Sequence, residues 1–167
     1  MASAFHLVFL LCLSSGLLVS GSVSVKQFDI IMLKTSCPSG WTRYGQRCFF
    51  VDTRHLTMAE AELSCISHGG NLASIHSSWE NLCIRHLIYQ TCRAYVTAWI
   101  GLFDAIQEGK WMWTDGSRVA YTSWGSGEPN NVGHGGEHCT EINWGGSHYW
   151  NDIPCHFRKP FVCARKL

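Results

Sequence analysis

Residues 128–152 read Glu128-Pro129-Asn130-Asn131-Val132-Gly133-His134-Gly135-Gly136-Glu137-His138-Cys139-Thr140-Glu141-Ile142-Asn143-Trp144-Gly145-Gly146-Ser147-His148-Tyr149-Trp150-Asn151-Asp152. Within them Glu128, Asn130, Glu137, Asn151 and Asp152 offer five oxygen-bearing side chains, three of them carboxylates, and the stretch holds no Lys or Arg to neutralise them. Such a set suits a hard cation. Ca²⁺ accepts about six to eight oxygens in a flexible shell, whereas Mg²⁺ takes fewer protein ligands and keeps its waters. Five side chains and one backbone carbonyl would leave about two positions open at the upper limit of that shell. Two adjacent hydroxyls of one ligand can fill them.

At these residues the chain resembles the C-type lectin-like domain, and specifically its Ca²⁺-dependent sugar-binding members. Three motifs carry the likeness: Glu128-Pro129-Asn130, which is similar to the mannose-type tripeptide; Glu137 two residues before Cys139; and Trp150-Asn151-Asp152. The resemblance implies an α+β fold of two helices, antiparallel sheets and a long calcium-binding loop region stabilised by disulfides. It also implies a cis peptide at Glu128-Pro129, which turns the flanking side chains toward one ion.

Working outward toward the N-terminus, residues 1–21 are expected to be a secretory signal, with cleavage between residues 21 and 24. Phe5 to Val19 is apolar but shorter than the roughly 20 residues a bilayer span needs, and Ser/Gly/Val residues follow it. Residues 22–36 form an N-terminal extension, and residues 37–167 the lectin-like domain. No further apolar run approaches spanning length, so a secreted, extracellular product without a membrane anchor is expected. The formal net charge is +1 with 15% charged residues, which supplies no electrostatic footprint for nucleic acid or an anionic membrane. There is no Asn-x-Ser/Thr sequon.

Nine cysteines are present. Cys12 leaves with the signal, and an even set in a secreted chain reads as a disulfide framework whose connectivity the spacing leaves open. No Cys-x-x-Cys pair occurs, and zinc is not expected among the cysteines and histidines. The resemblance implies Cys37 with Cys48, Cys65 with Cys163, and Cys139 with Cys155. By elimination Cys83 and Cys92 remain, and they are expected to close a short local loop or to bridge to a second chain.

The coarse elements follow from local chemistry. Cys48-Phe49-Phe50-Val51 is rich in strand formers. Thr57-x-x-Glu60 is a capping box that opens a helix over Ala59 to Ile66, ended by Gly69-Gly70. A short strand is expected at Leu72 to Ile75, and a second box, Ser77-x-x-Glu80, opens another helix through Trp79, Leu82, Leu87 and Ile88. Tyr95 to Leu102 reads as a buried strand, and its Trp99-Ile100-Gly101-Leu102 resembles the family's core motif. Trp111-x-Trp113 reads as a strand before a turn at Asp115-Gly116. From Trp124 to about Gly146 periodicity is lost, which predicts a long functional loop. Trp41, Trp79, Trp99, Trp111 and Trp113 are expected to be structural, leaving Trp124, Trp144 and Trp150 near the site.

Function follows from the ligand set. Glu128, Asn130, Glu137, Asn151 and Asp152 are expected to hold Ca²⁺. Two neighbouring sugar hydroxyls would each donate to Glu128 or Glu137 and accept from the amides of Asn130 or Asn151. By resemblance the Glu-then-Asn order implies the mannose, fucose and N-acetylglucosamine class, whose adjacent hydroxyls are equatorial. The five residues Val132 to Gly136 lengthen the family's usual spacing by one. Asp104, Glu108 and Asn131 resemble an auxiliary calcium site, weaker because Asn131 is neutral. His134, His138 and His148 are loop residues, solvated or in contact with sugar. No nucleophile elbow, phosphate loop or metalloprotease helix appears, so no catalysis is expected. Ice binding, as in type II antifreeze proteins, and protein binding, as in toxin-like members, are the competing functions. Nothing resembles a collagen tract or heptad neck, so a homo-oligomer would have to form through the domain itself or a bridging cysteine.

Overall fold

The computed structural model describes residues 36–133 and 135–167. The expected signal segment, the extension up to residue 35 and His134 lie outside the described residues. The described chain is α+β, with helices α1 (Met58–Ser67) and α2 (Ser78–Cys92). Its strands are β1 (Thr42–Tyr44), β2 (Arg47–Leu56), β3 (Asn71–Leu72), β4 (Ala98–Phe103), β5 (Met112–Trp113), β6 (Cys139–Trp144), β7 (Tyr149–Ile153) and β8 (Lys159–Lys166). They join in the order β1-β2-β8-β4-β6-β7, with β3 on β8 and β5 on β4. Among the described residues no helix is long and apolar enough to cross a membrane.

The first helix starts where the capping box places it. Thr57 accepts from the Glu60 N–H while Glu60 reaches back to the Thr57 N–H, so two of the orphan donors at the helix start are satisfied. At the second helix Ser77 caps the Glu80 N–H, but the expected box is only half formed. Glu80 turns instead to Arg47 at 2.7 Å and to the His76 N–H, because it is buried and an ion pair satisfies it better than a backbone donor alone.

Strands β2 and β8 pair antiparallel from Arg47↔Lys166 to Asp52↔Phe161, which brings the two ends of the domain together. Cys65–Cys163 fastens α1 to β8, Cys37–Cys48 closes the N-terminal hairpin, and Cys139–Cys155 ties β6 to the segment after β7. These are the three pairings that the family likeness implies. Two buried clusters share the sheet. One gathers Phe49, Ile84, Ile88, Ile100, Leu102, Trp113 and Trp150, and the other Met58, Leu72, Trp99 and Phe161. Gly101 permits the crossing of the chains: a Cβ there would lie 2.7 Å from both the Leu72 carbonyl oxygen and Thr114 Oγ1.

The structure corrects several expectations. Of the expected Leu72–Ile75 strand only Leu72 lies in β3; Ala73 still donates to the Val162 carbonyl and accepts from the Gly101 N–H, and the next carbonyl, that of Ser74, accepts from Arg47 instead of a strand. The strand expected from Tyr95 begins at Ala98. The loop expected to run to Gly146 contains β6, whose residues Cys139 to Asn143 are all buried. Its polar members looked like loop residues, yet Glu141 meets Lys159 at 2.7 Å and Asn143 donates to the Val96 carbonyl. Trp79 is not structural, being 72% exposed, whereas Trp150 is a core residue whose Nε1 donates to Asn81 Oδ1 at 2.9 Å.

Cys83 and Cys92 are both unpaired. They stand nine residues apart on α2, a rise of about 13.5 Å that also puts them on opposite helix faces. A disulfide needs Cα atoms within about 7 Å, so α2 and a Cys83–Cys92 bridge exclude each other.

Candidate metal and carbohydrate site

Strand β7 builds one wall of the site. Trp150 points into the core, and Asp152 two residues on is also inward and only 1% exposed. A buried carboxylate must be satisfied, and Asp152 is. Its Oδ1 accepts from the Asn130 N–H at 3.0 Å and its Oδ2 from the Asn131 N–H at 2.8 Å. This clamps the opposite wall, the turn in which Gly125 accepts from the Glu128 N–H and the Glu128-Pro129 peptide is cis, as the family likeness implies.

Glu137 closes the ring. Its N–H donates to Asn131 Oδ1 at 2.7 Å, and the Val132 N–H is shared between Glu137 Oε2 at 3.1 Å and Asn130 Oδ1 at 2.9 Å. Of the five residues expected at the site, Glu128, Asn130, Glu137 and Asp152 are thus brought together. Asn151 borders the group, but its amide nitrogen donates across the β6–β7 ladder to Glu141 Oε1 at 3.1 Å.

The electrostatics call for a cation. Burial, then the Asp152 carboxylate, then the charge of Glu137 push the Glu128 carboxyl above its usual value, with the Asn130 side chain opposing. Glu137 is pushed up by burial and by Asp152, with the Val132 N–H opposing. Glu128 Oε2 is sealed from solvent with no hydrogen-bond partner. An orphaned carboxylate oxygen facing further carboxylates is costly, and a divalent ion cancels both the repulsion and the missing bond. The oxygen-only donor set fits Ca²⁺.

An aromatic ring lies at the rim. Trp144 is 36% exposed and sits on Gly125, where a Cβ would be 2.6 Å from the ring and 3.4 Å from Glu128 Cγ. Of the three tryptophans expected nearby, it is the one with a substantially exposed face. Trp124 packs its ring against Trp111 and Trp150.

The expected auxiliary residues lie together. Asp104 and Glu108 converge, and His138 brings a further ligand atom to them. Asn131 touches the group through its amide nitrogen, which donates to Glu108 Oε2 at 2.6 Å, while its oxygen accepts from the Glu137 N–H. Sequence reasoning missed Glu141, Lys159 and this role of His138. The available signals were the position of His138 between Glu137 and Cys139, and a glutamate within an otherwise β-forming Thr140-Glu141-Ile142 run.

Similar proteins are found both by sequence and by structure. The family model described as "Lectin C-type domain" matches residues 54–165. The chain is 39% identical over 167 residues to the galactose-specific lectin nattectin of Thalassophryne nattereri, covering 100% of both proteins. The structure of herring type II antifreeze protein superimposes with a TM-score of 0.72 at 33% identity, covering 78% of this chain and 99% of that one. The cow C-type carbohydrate-recognition domain of CD23, solved in the presence of a GlcNAc2Man3 oligosaccharide, gives 0.69 at 33% identity, covering 79% and 97%. With the family's model spanning most of the described domain and a relative matched end to end at that identity, the chain belongs to the C-type lectin domain family, a carbohydrate-binding rather than a catalytic class.

Proposed function

We propose that this chain is a secreted, calcium-dependent lectin that binds glycans of the mannose, fucose and N-acetylglucosamine class. The observation that carries the reading is the convergence of Glu128, Glu137 and Asp152 on one spot with Glu128 Oε2 left unpartnered. Bound calcium would supply positive charge and two open positions for neighbouring hydroxyls. Glu128 and Glu137 accept the hydroxyl protons, and Asn130 donates to a hydroxyl oxygen. Asn151 offers its Oδ1 to the ion while Glu141 holds its amide nitrogen. Asp152 fixes the spacing of the two walls through the Asn130 and Asn131 N–H groups.

A galactose-class reading has support of its own. Nattectin is named as galactose-specific, and the half-exposed Trp144 ring, which lies against Gly125 next to Glu128, offers an aromatic face of the kind that suits the apolar side of a pyranose. Ice binding draws support from the herring antifreeze likeness. Chromatography on immobilised mannose and galactose in millimolar calcium, followed by chelator, separates the three. Chelator-released retention on mannose alone is the expected result. Retention on galactose alone transfers the assignment, and failure on both columns with shaping of ice crystals in chilled buffer overturns the lectin reading.

A further inference from the structure

The second cluster does not suit the ion that the family likeness leads one to expect there. Asp104 follows β4 and is completely buried, with Oδ2 accepting from the Gly109 N–H at 2.7 Å. The same tight loop, in which the Gln107 N–H donates to the Asp104 carbonyl, carries Glu108 back over it. His138 enters from the residue before β6, where the Asp104 N–H donates to its carbonyl at 3.1 Å. One ligand atom from each of Asp104, Glu108 and His138 lies within 4.8 Å of the other two.

Calcium wants six or more oxygens. Here an imidazole nitrogen occupies one corner, and Asn131 turns its amide nitrogen rather than its oxygen toward Glu108. Two carboxylates and one imidazole are instead a borderline-metal set, since imidazole and carboxylate together suit Zn²⁺. The spacing agrees. Two ligands at zinc bond lengths of about 2.0–2.1 Å in a tetrahedron stand about 3.3 Å apart. His138 Nδ1 is hydrogen-bonded to Asp104 Oδ1 at 3.0 Å and lies 3.6 Å from Glu108 Oε2, on either side of that value, so an ion would take the place of the hydrogen-bonding proton.

We infer that Asp104, Glu108 and His138 form a second divalent-metal site selective for the zinc class over calcium, with water completing the tetrahedron. The neutral imidazole would present Nδ1 to the ion and carry its proton on Nε2. The site is joined to the sugar site through Asn131, which holds Glu108 with its side chain and Asp152 with its N–H. Occupancy therefore braces the loop that carries Asn130 and Glu137.

The test is calorimetric titration of untagged protein with zinc, with millimolar calcium already present to fill the first site. One zinc equivalent per chain is expected, with X-ray absorption showing a nitrogen and oxygen shell. His138→Ala should weaken zinc by more than about 100-fold, since losing a ligand exceeds the 10- to 100-fold cost of losing an outer partner. His138→Asp should lose zinc and gain a second calcium equivalent. His138 is partly exposed and outside the core, so both variants should fold, and unchanged far-ultraviolet dichroism verifies it. No zinc uptake at 1 mM, or uptake unchanged in His138→Ala, overturns the inference. Sugar-column retention in zinc-free calcium buffer is a separate readout, so the two sites can fail independently.

Discussion

Lys159→Met is the substitution whose cost can be worked furthest. Lys159 Nζ lies 2.7 Å from Glu141 Oε2 in an ion pair whose angles fall outside hydrogen-bond alignment, with the two side chains 18% and 7% exposed, and it donates to Thr97 Oγ1 at 3.0 Å. At an effective dielectric of 20 the gross attraction at that distance is about 6 kcal/mol. Much of it offsets desolvation, so the net worth of the pair is small. Removing one partner is another matter, because Glu141 is then left buried with the Asn151 amide as its remaining donor. Breaking buried pairs this way costs about 3–5 kcal/mol, and the partial wetting of Lys159 argues for about 3. For a domain of this size that is a fall in Tm of roughly 10 °C. Glu141→Gln with Lys159→Met removes both charges and should recover more than half of the loss. Guanidinium unfolding followed by tryptophan fluorescence, with disulfides intact, measures both. A single-variant loss below about 1 kcal/mol, or a double variant no better than the single, would refute the reasoning.

Three further outcomes are expected. Because the Glu128 and Glu137 carboxyls are raised, each favours the folded state when protonated, and that contribution is lost as pH rises through the elevated values. In chelator, Glu128→Gln should therefore raise Tm at pH 7 and leave it unchanged at pH 4, whereas in calcium the sugar retention of the unsubstituted protein should fall toward pH 4. Alkylation followed by mass measurement should find two free thiols per chain, reacting slowly at pH 8 since burial raises both and Glu80 further raises Cys83. Finding none in a chain that runs as a monomer without reductant would contradict the continuous α2 helix, whereas none in a covalent dimer would show the bridge to a second chain. Asp152→Asn keeps the side chain's shape but leaves one of the Asn130 and Asn131 N–H groups without its acceptor oxygen. It should abolish chelator-sensitive sugar retention while shifting Tm by only a few degrees.

Local chemistry made much of this protein legible. Thr57 and Glu60 capped α1 as their spacing predicts, and Gly69-Gly70 ended it. The run from Ala98 to Leu102 was readable as a buried strand, although Arg93 in the left-handed region and the turn after it displaced its start. Strand β6 was hidden because polarity marks a loop only when polar groups face water. In β6 they face Lys159 and the Val96 carbonyl, residues distant in sequence.

The candidate site divides along the same line. Residue types pointed to a cation in a carboxylate- and amide-rich stretch without Lys or Arg, because ligand chemistry belongs to the side chains themselves, and the family likeness singled out Glu128, Asn130, Glu137, Asn151 and Asp152 within it. Only the tertiary structure decided that His138 joins Asp104 and Glu108, that Asn151 is held by Glu141, that Trp150 is core while Trp144 is exposed, and that Cys83 and Cys92 stand apart. Each of these is a question of which way a side chain faces. Facing depends on strand register and helix phase, and those are fixed by packing against partners tens of residues away.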